Sequence, residues 1–356
     1  METDYSPILI YGSYGYTGNL IAELAVAEGL KPILAGRNEQ LLKAQADRLK
    51  LKHIAFSLDQ SEQLNQALAT VDIVLHIAGP YAHTTKTMLA ACMRQKTHYL
   101  DITGELEVFE WLASQQQALK EAGIVAIPGT GFDVVPTDCL AAYLKKRLPT
   151  ASHLELAFMG AGEISRGTAL TMVENISQGG MIRRNGTLTP VPAAYQTKEI
   201  NFGERIASAV TIPWGDVSTA YHSTQIPNIM VYFAVDSTTK LFIKSSRYIG
   251  WLMGTAPIQS FLKGQVRKKV KGPSQQTREQ TKSYVWGKAK DGQSQQTVEA
   301  RLETPEAYKL TALTCLRSAQ KLLKSPLPPG FYTPSLAFGA DFILEFDGVK
   351  RIDIEQ

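Results

Sequence analysis

Short apolar runs alternate with amphipathic stretches through the first 130 residues. Residues 6–11 read as an apolar strand. Residues 16–28 show helical periodicity that closes at Gly29, and 32–35 form a second strand. Asn38 is a good N-cap for a helix over 39–49, and 53–56 is a third strand. Asp59-Gln-Ser-Glu62 has capping-box spacing ahead of a helix to about Leu68. Residues 73–77 are strand-like and apolar except for His76, and 85–94 is helical. Strands at 97–100 and 124–127 flank a long helix over 105–121. Alternating βα units with short apolar strands predict an α/β fold. The sheet is expected to be parallel, doubly wound and covered on both faces.

The pattern changes after Pro128. A helix over 136–147 leads into polar, strand-rich sequence. Asn185-Gly186 and Asp291-Gly292 give hairpin signals, and strands are expected at 228–235, 282–288 and 297–302. This predicts a second, α+β domain with a mixed or antiparallel sheet. Gln-rich tracts at 274–280 and 293–296 read as mobile connections. A helix over 306–324 ends at Pro326-Leu-Pro-Pro-Gly330, and Thr333-Pro334 opens another over 334–345. The expected division is a Rossmann-type domain over 1–130, a substrate or dimerisation domain over 131–325, and a segment at 326–356 that returns to the first domain.

The first strand runs into Gly12-Ser13-Tyr14-Gly15-Tyr16-Thr17-Gly18 and then a helix. The spacing is GxxGxxG rather than GxGxxG, but the physical demands are similar. One glycine makes the turn, one admits a pyrophosphate, and one lets the helix pack on the strand. The second strand ends Ala35-Gly36-Arg37-Asn38, where NAD enzymes usually place an acid for the ribose 2′-hydroxyl. Arg37 instead offers a guanidinium for a 2′-phosphate, so NADP(H) is the favoured cofactor. The bland alternatives are an empty glycine-rich turn and a surface arginine. Ala78, Gly79 and Pro80 follow the fourth strand and have little bulk beside a cofactor. Asp59 reads equally as an adenine contact or a plain helix cap.

Composition narrows the classes. With 356 residues, 44% of them hydrophobic, the chain has material for about two domains and is not a disordered sequence. A net charge of +4 is too small for a dedicated nucleic-acid binder. Cys92, Cys139 and Cys315 form no CxxC pair, and the six histidines show no HxH or HxxxH spacing. A disulfide framework and a metal site are therefore not expected, and a reducing, cytoplasmic setting is. The opening METDYSPILIYG carries acids where a secretion signal needs bases. The 15 uncharged residues at 248–262 would span only about 22 Å as a helix. Residues 241–271 combine apolar Trp- and Phe-containing stretches with Lys263, Arg267, Lys268, Lys269 and Lys271. They give the expectation of weak peripheral contact with anionic membranes, against the alternative of core packing or a homodimer interface.

GSYGYTG, LAGRN, HIAGPYA, AACMRQKTHYLDITGE and PGTGFDVVPTD occur in order over residues 12–138. This series resembles the saccharopine dehydrogenase-like oxidoreductases. The later segments SRGTALTMVE, SYVWGKAKDG, TPEAYKLTA and GFYTPSLAFGADF resemble the branch called trans-acting enoyl reductases. The resemblance implies an N-terminal Rossmann domain, a C-terminal return to it, and a pyridine-nucleotide oxidoreductase. It leaves the substrate open. The expected reaction is hydride transfer from NADPH to a conjugated C=C, or to C=N or C=O, of a small or lipid-like molecule. A non-catalytic NADP(H)-binding redox sensor is the alternative.

Tyr81 is a candidate proton donor or nicotinamide contact, or else a packing tyrosine. Asp101 and Glu105, after the fifth strand, are candidate acids near the nicotinamide end, or else helix caps. Gly131, Phe132 and Asp133, with Arg166 and Thr168, are candidate substrate contacts. Asp133 also reads as a cap, and Arg166 as a solvated surface residue. Tyr284 and Lys288 match a Tyr-xxx-Lys spacing, but in a predicted strand of the second domain, where it is coincidental.

Overall fold

A computed structural model describes residues 7–160, 164–175, 179–241, 254–270 and 272–355. The first six strands are β1 (Ile8–Tyr11), β2 (Ile33–Gly36), β3 (His53–Ala55), β4 (Ile73–His76), β5 (His98–Asp101) and β6 (Val125–Ile127). Together with β15 (Gly330–Phe331) they form one sheet in the order β15-β6-β5-β4-β1-β2-β3, with every pairing parallel. Strands β1, β2, β4 and β6 are fully buried and β5 nearly so, which is why they read as continuous apolar runs rather than alternating ones. The connecting helices are α1 (Tyr16–Ala27), α2 (Glu39–Leu49), α3 (Ser61–Leu68), α4 (Tyr81–Gln95), α5 (Leu106–Ser114) and α6 (Gln116–Ala122). The strand order reverses between β4 and β1, so their carboxyl ends flank the crevice where such sheets bind ligands.

Among the described residues the second sheet has nine strands: β7 (His153–Met159), β8 (Gly180–Arg184), β9 (Thr187–Val191), β10 (Thr197–Asn201), β11 (Ile206–Thr211), β12 (Asn228–Ala234), β13 (Lys282–Lys290), β14 (Thr297–Pro305) and β16 (Lys350–Ile354). Its main order is β10-β11-β12-β7-β13-β14-β16, and β8 pairs with both β12 and β9. Among the described pairings only β12–β7 is parallel, so the sheet is mixed. The helices α7 (Val135–Arg147) and α9 (Asp216–Thr224) pack against it. Further helices are α8 (Arg166–Asn175), α10 (Ala256–Lys269), α11 (Gln275–Gln280), α12 (Ala307–Lys324) and α13 (Pro334–Phe338).

The chain divides into residues 1–133 with 308–337, and 134–307 with 338–356. This differs from the division drawn on the sequence. The return to the first unit begins with α12, before the proline break, and the last residues leave it again because β16 pairs with β14. Local differences have local causes. The expected helix over 105–121 breaks at Gln115, where the Ser114 hydroxyl donates to the Trp111 carbonyl at 2.6 Å. The capping box at 59–62 does not form. Gln60 takes the N-cap position, and its side chain accepts from the Ser57 amide. Helix α13 stops after Phe338, where Gly339 turns at φ +89°, and a 3-10 turn follows at Phe342–Glu345.

The Asn185-Gly186 turn joins β8 to β9 with both residues at positive φ and Arg184 paired to Thr187, as a two-residue hairpin requires. Neither Gln-rich tract is without structure. Residues 275–280 are helical, capped by the Ser274 hydroxyl. The 291–296 loop is organised around the Asp291 carboxylate, which accepts from the Gln293 amide and the Ser294 hydroxyl. Among the described residues no helix is long and apolar enough to cross a membrane. Of the 241–271 segment, residues 242–253 and 271 lie outside the described residues.

Candidate functional site

The glycine loop leaves β1 and enters α1, and its three glycines answer to different demands. Gly12 turns at φ +87°, and a Cβ there would lie 2.9 Å from the Ile77 carbonyl oxygen. A Cβ on Gly18 would lie 2.3 Å from the Gly12 carbonyl oxygen. Both glycines are demanded by the protein's own packing. Gly15 is not. It is exposed and has ordinary extended dihedrals, and its Cβ would meet only the Gly12 oxygen at 3.1 Å. It occupies the N-cap of α1 without a capping side chain, so the bare helix end faces outward. That geometry suits a phosphate.

Ser13, read as part of the cofactor loop, does not present its hydroxyl to a ligand. It is fully buried, its hydroxyl donates to Gln45 Oε1 at 2.8 Å, and its carbonyl accepts from Gln45 Nε2 at 2.9 Å. Gln45 on α2 also donates to Asn19, so the loop is held by a residue that no motif points to. Gln45→Leu should strand these buried groups and lower unfolding stability by about 1–3 kcal/mol in urea titration. Tyr14 lays its ring against Gly36, where an added Cβ would stand 2.6 Å from the ring. Tyr16 meets Tyr308 edge-on at 5.0 Å, and Thr17 lies in the first turn of α1.

Beyond β2, Arg37 is exposed and has no hydrogen bond or ion pair with any described residue. Asp59 is exposed nearby. The Ser57 hydroxyl chiefly, with Arg37 contributing, holds its carboxyl below the usual range. Asn38 is a cap rather than a free ligand group, since its Oδ1 accepts the Leu41 amide at 3.0 Å.

At the end of β4, His76 is fully buried, and burial pushes its imidazole down to about 3, so it is neutral. Its Nε2 meets Thr84 Oγ1 at 2.9 Å, and that hydroxyl lies 3.0 and 3.2 Å from the carbonyls of Ala78 and Pro80. The hydroxyl proton goes to a carbonyl, which assigns the imidazole proton to Nε2. His76 thus braces the Ala78-Gly79-Pro80 loop. The sequence signal for this was one polar residue closing an apolar strand.

The candidate acids are placed differently from expectation. Asp101 is fully buried and accepts from the Tyr99 hydroxyl at 2.6 Å and from the amides of Thr103 and Gly129. Burial still pushes its carboxyl up to about 6. Glu105 accepts from the Tyr81 and Ala82 amides, both at 2.8 Å, and so caps α4 rather than its own helix. This explains why α4 starts at Tyr81, earlier than its sequence suggests. Both carboxylates are occupied by the fold, which corrects their reading as free acids. The Tyr81 ring is buried beside Gly79, and burial, with Asp101 nearby, pushes its hydroxyl well up.

Gly131 and Phe132 face α12. A Cβ on Gly131 would lie 2.8 Å from Thr311, and the Phe132 amide donates to Thr311 Oγ1 at 3.0 Å. Their reading as substrate contacts is corrected to packing. Asp133 is the third acid of this region. Burial pushes its carboxyl up to about 7, and its Oδ2 lies close over Gly104. In the second unit, the Thr168 amide is capped by the Ser165 hydroxyl, and Arg166 donates to the Val270 carbonyl at 3.3 Å.

Residues 8–127 match the family model described as "Saccharopine dehydrogenase NADP binding domain". The chain is 34% identical over 153 residues to a trans-acting enoyl reductase of Mycobacterium leprae, covering 40% of this chain and 36% of that protein. It is 25% identical over 172 residues to a saccharopine dehydrogenase-like oxidoreductase of Bos taurus, covering 42% and 40%. It is 27% identical over 157 residues to a lipid droplet localized protein of Caenorhabditis elegans, covering 39% and 36%. The matches thus span well under half the length of these relatives. Saccharopine dehydrogenase (L-Glu forming) of Saccharomyces cerevisiae shares the fold, with a TM-score of 0.67 over 98% of this chain and 99% of that one, at 13% identity.

Proposed function

From a first unit that carries a saccharopine dehydrogenase NADP-binding domain over residues 8–127, we propose an NADPH-dependent reductase of a conjugated double bond in a small or lipid-like molecule. The observation that carries this reading is Gly15, an exposed glycine at the mouth of a bare helix end whose added Cβ would meet only the Gly12 oxygen, at 3.1 Å. The stretch similar to a trans-acting enoyl reductase supports a conjugated C=C over C=N or C=O.

Bound NADPH supplies the hydride. The 12–18 loop and the first turn of α1 receive the pyrophosphate, and Arg37 takes the 2′-phosphate. The 78–80 loop, braced through Thr84 at the carboxyl end of β4, would lie on the cofactor side of the sheet. Glu105 fixes the start of α4, and through it the position of Tyr81. Asp133 supplies the proton. Its carboxyl, raised to about 7, is a donor below that pH and an ionised bystander above it.

Turnover on a panel of enoyl, imine and carbonyl substrates tests the reading. The rate should fall as pH rises through about 7. Asp133→Asn should slow it by roughly 10²- to 10⁴-fold and flatten the profile. An unchanged pH profile in Asp133→Asn would remove Asp133 from the mechanism. Tight NADPH binding with no turnover on any substrate class would favour the redox sensor.

A further inference from the structure

The second unit carries a groove of about 320 Å³ over the start of β7 and β12 and the end of β13, a volume within the small-ligand range. The register sets its chemistry. Asn228 pairs with His153, and His153 with Lys290. Ile229 pairs with Arg183 across the antiparallel β12–β8 contact, which puts Arg184 beside Asn228. One row therefore reads Arg184, Asn228, His153, Lys290 across four strands. Arg183 points to the opposite face, where its Nε donates to the Val217 carbonyl of α9 at 2.9 Å. Alternation then leaves Arg184 on the groove side.

The row holds two cations and no carboxylate. Lys290 has no hydrogen bond or ion pair from its side chain to any described residue, and the Arg184 guanidinium meets only the Tyr195 hydroxyl, at 3.4 Å. The cations that reach the next row are matched. Glu155, which lines the groove, is bound by Lys198 at 2.5 Å and by the Tyr232 hydroxyl, and Lys288 lies 3.5 Å from Glu299. Arg184 and Lys290 stand three strand spacings apart, roughly 14 Å. Their long side chains can thus converge from both sides over Asn228 and His153. Ile182 and Met230 supply an apolar wall in the adjoining row.

We infer that this groove binds a small phosphate monoester carrying one short apolar chain, with Arg184 and Lys290 on the phosphate and Met230 and Ile182 along the chain. A dianion is favoured because two cations approach from opposite sides. The volume admits a single short chain, not a two-chain lipid held in a bilayer.

Calorimetric titration of the full chain with hexyl phosphate tests this. Binding should be at least tenfold tighter than for inorganic phosphate or hexanoate. Arg184→Gln and Lys290→Gln should each weaken it about tenfold, and Met230→Asp should reduce it to the level of inorganic phosphate. Lys350→Gln, on β16, should leave it unchanged. Circular dichroism of each variant should match the wild type. Equal binding of hexanoate would overturn the phosphate assignment. Unchanged binding in both Arg184→Gln and Lys290→Gln would overturn the site, as would binding confined to phosphatidate vesicles.

Discussion

Gly15→Val should fold and fail to bind NADPH. The protein itself meets a Cβ at this position only at the Gly12 oxygen, 3.1 Å away, so a shift of a few tenths of an ångström accommodates it. The branched side chain then stands at the open end of α1, where the pyrophosphate must approach. The expected loss is at least a hundredfold in Kd, about 3 kcal/mol, with an unchanged circular dichroism spectrum. Gly18→Val is the contrasting case. Its Cβ would lie 2.3 Å from the Gly12 oxygen and 2.8 Å from Ser13 Cα, both backbone atoms that cannot rotate away. That variant should lose the fold before it loses the ligand. If Gly15→Val binds NADPH as the wild type does, the loop is not the phosphate site.

Arg37→Asp should cost about 2–4 kcal/mol of NADPH binding, roughly 30- to 1,000-fold in Kd, because a charge-assisted pair becomes a repulsion. The neighbourhood sharpens the effect. Asp59, with its carboxyl held below the usual range, already stands near Arg37. Removing the guanidinium leaves two carboxylates facing the 2′-phosphate. NADH, which lacks that phosphate, should change by less than threefold. A comparable loss for both cofactors would mean that Arg37 acts through the fold.

The parallel sheet and the phosphate loop were legible because both depend on short-range patterns. Short apolar runs of three to four residues can be read without knowing what lies across the sheet. The misread residues are those whose role is set by a distant partner. Glu105 lies close after β5, and only the folded chain shows that it caps α4. Ser13 stands inside the glycine motif, yet its hydroxyl belongs to Gln45, 32 residues on. Gly131 looked like a ligand glycine, but Thr311 on α12 fills the space against it. The C-terminal boundary was misplaced for a related reason. The proline break is a strong local signal, whereas pairing of β16 with β14 is a tertiary choice that 350–354 alone do not reveal.

The most direct test of the account is a side-by-side titration of the wild-type chain with NADPH and NADH, followed by nicotinamide fluorescence. The account predicts saturable binding of both at one site, with NADPH at least tenfold tighter. That preference should disappear in Arg37→Asp. Equal affinity of the wild type for the two cofactors, or no binding of either, would contradict it.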